Sequence, residues 1–204
     1  MSISRSIACI AGLALVASCV SPRMQMTSAA GELERLSETL LASDSATLTL
    51  ENWCAQRMLA DPPIVVARIA ESPERPASDA QRLRLKLAAD EPVRYRHVQL
   101  LCGDRVLSVA ENWYVPGRLT PEMNEALETT RTPFGKVIRP LGPQRTSLGV
   151  TRSDWLLAAR AGHVGADLPA CADTAFSHSA LVAAADGLPL AEVRENYSVA
   201  LVCD

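Results

Sequence analysis

The sequence predicts an α+β domain: an antiparallel β-sheet built from hairpins, with helices packed on it. Three observations predict it. Residues 93–117 hold two runs rich in Val, Leu, Tyr and Trp around Gly103-Asp104, and residues 176–201 hold two more around Asp186-Gly187. Glycine in such short turns supplies the positive φ that hairpins need. Leu33, Leu36, Leu40 and Leu41 fall at helical spacing before the first hairpin, and Thr120-Pro121-Glu122 opens a second helical region between the hairpins. There Thr is the cap, Pro takes the first helical position, and an acid sits near the positive end.

The chain of 204 residues is long enough for one domain with a full core. Only eight residues are aromatic, so that core is mostly aliphatic. The net charge is −3 and no run of Lys or Arg occurs, which argues against nucleic acid as the main partner. The six cysteines form no Cys-x-x-Cys pair, and His97, His163 and His178 lack close metal-ligand spacing. A zinc site is therefore not expected. No Gly-rich phosphate loop occurs either.

Taken in order, residues 1–19 read as an export signal. Arg5 gives the positive start, and Ile7 to Ala17 is an apolar run too short to span a bilayer comfortably. Val16-Ala17-Ser18-Cys19 resembles a bacterial lipobox, in which the cysteine becomes the first mature residue and carries lipid. The alternatives are an ordinary signal peptide or a short anchor. As a lipoprotein the chain sits in the cell envelope on the periplasmic side, anchored to membrane through Cys19. Val20 points to the outer rather than the inner membrane. Cys9 leaves with the signal, and Cys54, Cys102, Cys171 and Cys203 remain in an oxidising compartment. They form disulfides or stay as buried thiols.

Residues 20–30 read as a tether, and 31–204 as the domain. An amphipathic helix covers 31–42. Ser45 caps a second helix over about 46–59, with Leu48, Trp53, Met58 and Leu59 as its buried side. After Pro62-Pro63, residues 64–69 read as a strand, and 71–79 as a loop. Residues 81–87 alternate Arg82, Arg84 and Lys86 with Leu83, Leu85 and Leu87, a half-buried strand pattern. Past the helix that ends near Thr129 come a short helical turn with Val137 and Ile138, a polar turn-rich segment 140–147, a helix over 152–161 and a loop to Ala172.

Two charges stand in line with apolar neighbours. On the first hairpin, alternation puts Arg96 on the face of Val98 and Leu100. On the last strand it puts Glu195 on the face of Val193 and Tyr197. Buried charges need partners. Either the two pair with each other or other groups of the chain, or they face a pocket for a small, partly apolar anion.

Several stretches together, over about residues 35–200, resemble the chorismate lyase family, whose fold is shared by ligand-binding domains of some transcription regulators. They are Leu40 to Thr47, Tyr95 to Asp104, Tyr114-Val115-Pro116, Arg131-Thr132-Pro133-Phe134-Gly135-Lys136, and Gly187 to Leu190 followed by Glu195. The resemblance implies a chorismate lyase-like fold and a cofactor-free elimination of pyruvate from chorismate that leaves 4-hydroxybenzoate. It gives Arg96 the role of holding the aromatic carboxylate and Glu195 that of meeting the ring oxygen. These two are the candidate catalytic residues, and Ala46 and Phe134 complete the candidate ligand-binding set. A strict count from Cys102 puts His97 at the arginine position, and Glu192 competes with Glu195.

Three readings follow. An exported lipoprotein binds a small aromatic carboxylate, such as 4-hydroxybenzoate or chorismate, without turnover. Alternatively it is a chorismate pyruvate-lyase, or a purely structural envelope lipoprotein. Export favours binding or structure, since chorismate is made and used in the cytoplasm.

Overall fold

The computed structural model describes residues 22–163 and 169–203, with side chains from residue 29 onward. The segment 1–19, with Cys9 and Cys19, lies outside the described residues. Among the described residues six α-helices and six strands follow in the order α1 (Pro22–Leu41), α2 (Ala46–Gln56), β1 (Val65–Ile69), α3 (Asp79–Arg84), β2 (Arg94–Cys102), β3 (Arg105–Tyr114), α4 (Pro121–Thr129), α5 (Phe134–Val137), β4 (Gln144–Arg152), α6 (Asp154–Arg160), β5 (Thr174–Ala183) and β6 (Pro189–Ser198). The strands form one antiparallel sheet in the order β1-β2-β3-β6-β5-β4. The expected α+β class and hairpin-built sheet are therefore observed.

Both hairpins form where the turn chemistry places them, with Gly103 at φ +57° and Gly187 at φ +83°. Ser45 and Thr120 cap α2 and α4 through side chains that accept from Leu48 N and Met123 N. Four local readings change. Helix α1 begins at Pro22, so most of the expected tether 20–30 is helical, and Ala30 is already in the core. Leu48 and Met58 face solvent. The strand read over 81–87 is instead α3 with the C-terminal turn after it, because Ser78 and Gln81 close a capping box at its start. The polar segment 140–147 holds the first half of β4, an edge strand whose side chains are mostly exposed and whose ladder is supplied by β5.

The inner face of the sheet carries two apolar clusters. One joins Leu33, Leu36 and Leu40 of α1 and Leu50 of α2 to Val98, Leu100, Ala110, Phe176 and Tyr197. The other joins Leu127, Phe134 and Ile138 to Tyr114, Val182, Leu190 and Val193. On the outer face lies the strap 70–92, held by Arg84 to Glu192 through two bonds of 2.7 and 2.9 Å and by Arg75 to Glu111 at 2.6 Å. Cys54 faces Cys102 and Cys171 faces Cys203, each pair disulfide-bonded, with Cα–Cα separations of 6.2 and 6.1 Å. Among the described residues no helix is long and apolar enough to cross a membrane.

Candidate functional site

The site follows from which side chains the sheet turns inward. The register aligns Val98, Ala110, Glu195 and His178 in one row across β2, β3, β6 and β5, and Arg96, Asn112, Val193 and Ala180 in the next. The period-2 reading of facing therefore holds: Arg96 and Glu195 are each 6% exposed on the inner face. The competing candidates point the other way. Glu192 is bonded to Arg84 of the strap, and His97 shares the outer face with Tyr95.

A cleft opens at the seam between the two apolar clusters. Its floor is Val98, Ala110, Asn112, Val193 and Glu195. Its roof is the turn Asp44 to Thr47 at the start of α2, together with Pro133, Phe134, Gly135 and Ile138 around α5. The roof is close-packed: a Cβ on Gly135 would come within 3.1 Å of Thr47 Oγ1. Lys136 bonds Glu51 at 2.5 Å, which ties α5 to α2, and Asp44 accepts from Arg145 N at 3.2 Å, which ties the turn to β4. The cleft holds about 40 Å³, and about 480 Å³ when the space open to solvent at its mouth is included.

Of the expected site residues, Ala46, Phe134 and Glu195 line this one cleft, although they come from α2, α5 and β6. Arg96 does not line it. Its guanidinium turns toward the end of α4, where Nε donates to Leu127 O at 3.1 Å and Nη2 to Thr132 O at 3.4 Å. A cation there satisfies terminal carbonyls and complements the negative end of the helix dipole. Among the described residues neither an Arg96–Glu195 pair nor a cleft lined by both is observed.

The arginine that meets Glu195 is Arg145 of β4, in a nearly buried ion pair with side-chain exposures of 9% and 8%. Tyr197 OH also donates to Glu195, at 2.9 Å. Burial opposes the charge on Arg145, but Glu195 and the Tyr197 oxygen outweigh it and raise the guanidinium above its usual range. Tyr197, fully enclosed beside the carboxylate, is pushed well up. His178 sits behind this group with Nε2 at 2.9 Å from Ser37 Oγ. Burial lowers it to about 4, so it is neutral at pH 7.

Asn112 is the residue the alternation could have revealed. It is in phase with Ala110 and Tyr114, is 4% exposed, and makes no side-chain hydrogen bond among the described residues. Thr47, also buried, lines the same cleft with its hydroxyl unbonded among the described residues. Buried polar groups are ordinarily satisfied, so an amide and a hydroxyl left open on one cleft are groups for a guest to satisfy. No group of His, Cys, Asp or Glu among the described residues is placed to hold a metal.

Fold and cleft together define an α+β domain with a small polar-floored site enclosed between sheet and roof. No family model matches the chain. It belongs to the same family as the uncharacterized protein y4mC of Sinorhizobium fredii, to which it is 40% identical over 174 residues, 81% of this chain and 73% of that one. Two solved structures are similar more distantly. The effector domain of PhnF from Mycobacterium smegmatis has a TM-score of 0.47 and 15% identity, over 76% of this chain and 88% of that domain. The possible transcriptional regulator YydK from Bacillus subtilis has a TM-score of 0.42 and 16% identity, over 67% of this chain. The match spans 58% of the length of YydK.

Proposed function

We propose that the chain is an exported, lipid-anchored binding protein that takes a small aromatic carboxylate in the cleft between Glu195 and Phe134. The observation that carries this reading is the convergence of Ala46, Phe134 and Glu195 on one cleft whose floor holds the unpartnered Asn112. The ring packs against Val98, Phe134, Ile138 and Val182, and the polar end meets Asn112, Thr47 and the Arg145–Glu195 pair. Arg145 takes the place in this cleft that the resemblance gave to Arg96. A volume of about 40 Å³ accommodates a few waters rather than a ring, so binding includes an outward movement of the Asp44–Thr47 or Pro133–Ile138 roof. Export is supported by the pattern of residues 1–19 and by the pairing of all four remaining cysteines, as suits an oxidising compartment.

The test is calorimetric titration of the full-length chain in mild detergent with 4-hydroxybenzoate and with chorismate, while pyruvate release is followed. Saturable binding of either acid, lost in Asn112→Leu and without pyruvate, is the expected result. Pyruvate formation would make the protein a lyase. Binding that survives Asn112→Leu unchanged would remove this cleft from the reading. Lipid labelling that disappears in Cys19→Ser tests the anchor.

A further inference from the structure

A second cleft lies beyond the end of α4, and Arg96 forms part of its wall. It holds about 380 Å³, the size of a small-ligand site. Ile69 and Leu127 supply apolar surface, and Arg94 and Tyr114 stand with Arg96 around it. Arg94 is ion-paired with Glu128, half-exposed like Arg94 itself, and Glu74 also lines the cleft.

Arg96 is the anomaly here. It is 94% buried, yet it has no ion pair among the described residues. Its two bonds go to neutral carbonyls, and its buried Nη1 has no partner among the described residues. Capping Leu127 O of α4 and bonding Thr132 O just past the helix account for two of its donors and leave the charge without an anion. The charge is nonetheless shared locally. Burial raises the Tyr114 hydroxyl, and the guanidinium groups of Arg94 and Arg96 both oppose that rise, so the three polar groups act on one another. A partner anion is what a buried guanidinium lacks here, and a carboxylate fits its planar fork of donors.

We infer that this cleft is a second binding site, in which Arg96, Arg94 and Tyr114 hold the carboxylate of a small acid whose apolar body lies on Ile69 and Leu127. The inference is independent of the Glu195 cleft. The rings of Tyr114 and Phe134, with centroids 5.9 Å apart, stand between the two, Tyr114 facing one cleft and Phe134 the other.

Isoleucine methyl groups separate the two sites. Beyond residue 20 the chain has only Ile64, Ile69 and Ile138. Ile69 lines the Arg96 cleft, Ile138 lines the Glu195 cleft, and Ile64 lines neither. The full-length chain, labelled at isoleucine δ1-methyl groups and held in mild detergent, is titrated with benzoate and with benzamide, its neutral counterpart. Benzoate is expected to shift the Ile69 resonance with saturation, and benzamide to leave it in place. Arg96→Met is expected to weaken the benzoate response roughly 100-fold, the loss of a charge-assisted contact of about 3 kcal/mol. Tyr114→Phe and Arg94→Met, which leave the α4 cap intact, are expected to weaken it several-fold each. They keep the test decisive if Arg96→Met does not fold. An Ile69 resonance that does not move, or moves equally with benzamide, overturns the inference. So does a benzoate response unchanged in both Tyr114→Phe and Arg94→Met. Movement of Ile138 alone would support the Glu195 cleft and reject this one.

Discussion

Two arginines at the inner face of the sheet are almost wholly covered, and their surroundings differ in kind. Arg145 meets a carboxylate, Glu195, which also accepts from Tyr197, and the cleft beside this group is nearly closed. Among the described residues Arg96 hydrogen-bonds only carbonyl oxygens and keeps a buried donor unused beside a roomier cleft. A satisfied charge belongs to the architecture, because removing either partner strands the other in a poor solvent for ions. An unsatisfied charge carries its desolvation cost without that return, so it can be replaced with less harm to the fold. The first region should therefore answer to stability measurements and the second to ligand measurements.

The largest effect is expected where the pair is broken. Arg145→Met leaves Glu195 without its cation and should lower unfolding stability by about 3–5 kcal/mol in a denaturant titration. Adding Glu195→Gln should restore more than half of that loss, because the stranded charge goes with it. A double substitution no more stable than the single one would mean that Glu195 is not what makes Arg145 matter.

His178 tests the same region by pH. Burial lowers its folded-state value to about 4, below the ordinary imidazole value of about 6.5, so the unfolded chain takes up this proton first as pH falls. The neutral ring therefore costs no stability above about pH 6.5. Stability is lost as pH drops from there toward 4, by roughly 3 kcal/mol in all, and changes no further on this account below it. Denaturation curves recorded across this range should show the slope in the wild type and a shallower one in His178→Gln. The same slope in both would assign the acid sensitivity to other groups.

Arg96→Met should cost less than either, about 1–2 kcal/mol, since it removes bonds to Leu127 O and Thr132 O but strands no carboxylate. A loss equal to that of Arg145→Met would erase the contrast between the two arginines.

How far the sequence carried the interpretation depends on how local each signal was. The hairpins were legible because Gly103-Asp104 and Asp186-Gly187 fix turns between alternating runs, and the same alternation turned Arg96 and Glu195 inward. Helix α3 was misread because Leu83 and Leu85 alternate with arginines, although the Ser78–Gln81 box was present as a helix signal. Strand β4 was not legible. Its side chains are mostly exposed and polar, and its existence depends on the backbone of β5, far along the chain. Missing β4 also meant missing Arg145, so among the partners left open for Glu195 the one it meets was not named. Ala46 and Phe134 came from resemblance rather than from pattern, and both line the cleft. Where Arg96 would send its guanidinium depended on the position of α4, which no local pattern states.

The smallest expected effect on the fold is also the sharpest test of the Glu195 cleft. Asn112 lies in the cleft floor with no protein hydrogen-bond partner among the described residues, its amide open to the cleft. Asn112→Leu replaces an amide that bonds no other described residue with apolar surface of similar size, so stability should hold or rise by up to about 1 kcal/mol. Binding of 4-hydroxybenzoate should meanwhile be lost. Stability that falls together with binding would mean that the amide holds the floor in place. Stability retained with binding lost would mean that the chain keeps Asn112 for its ligand, at the expense of its own packing.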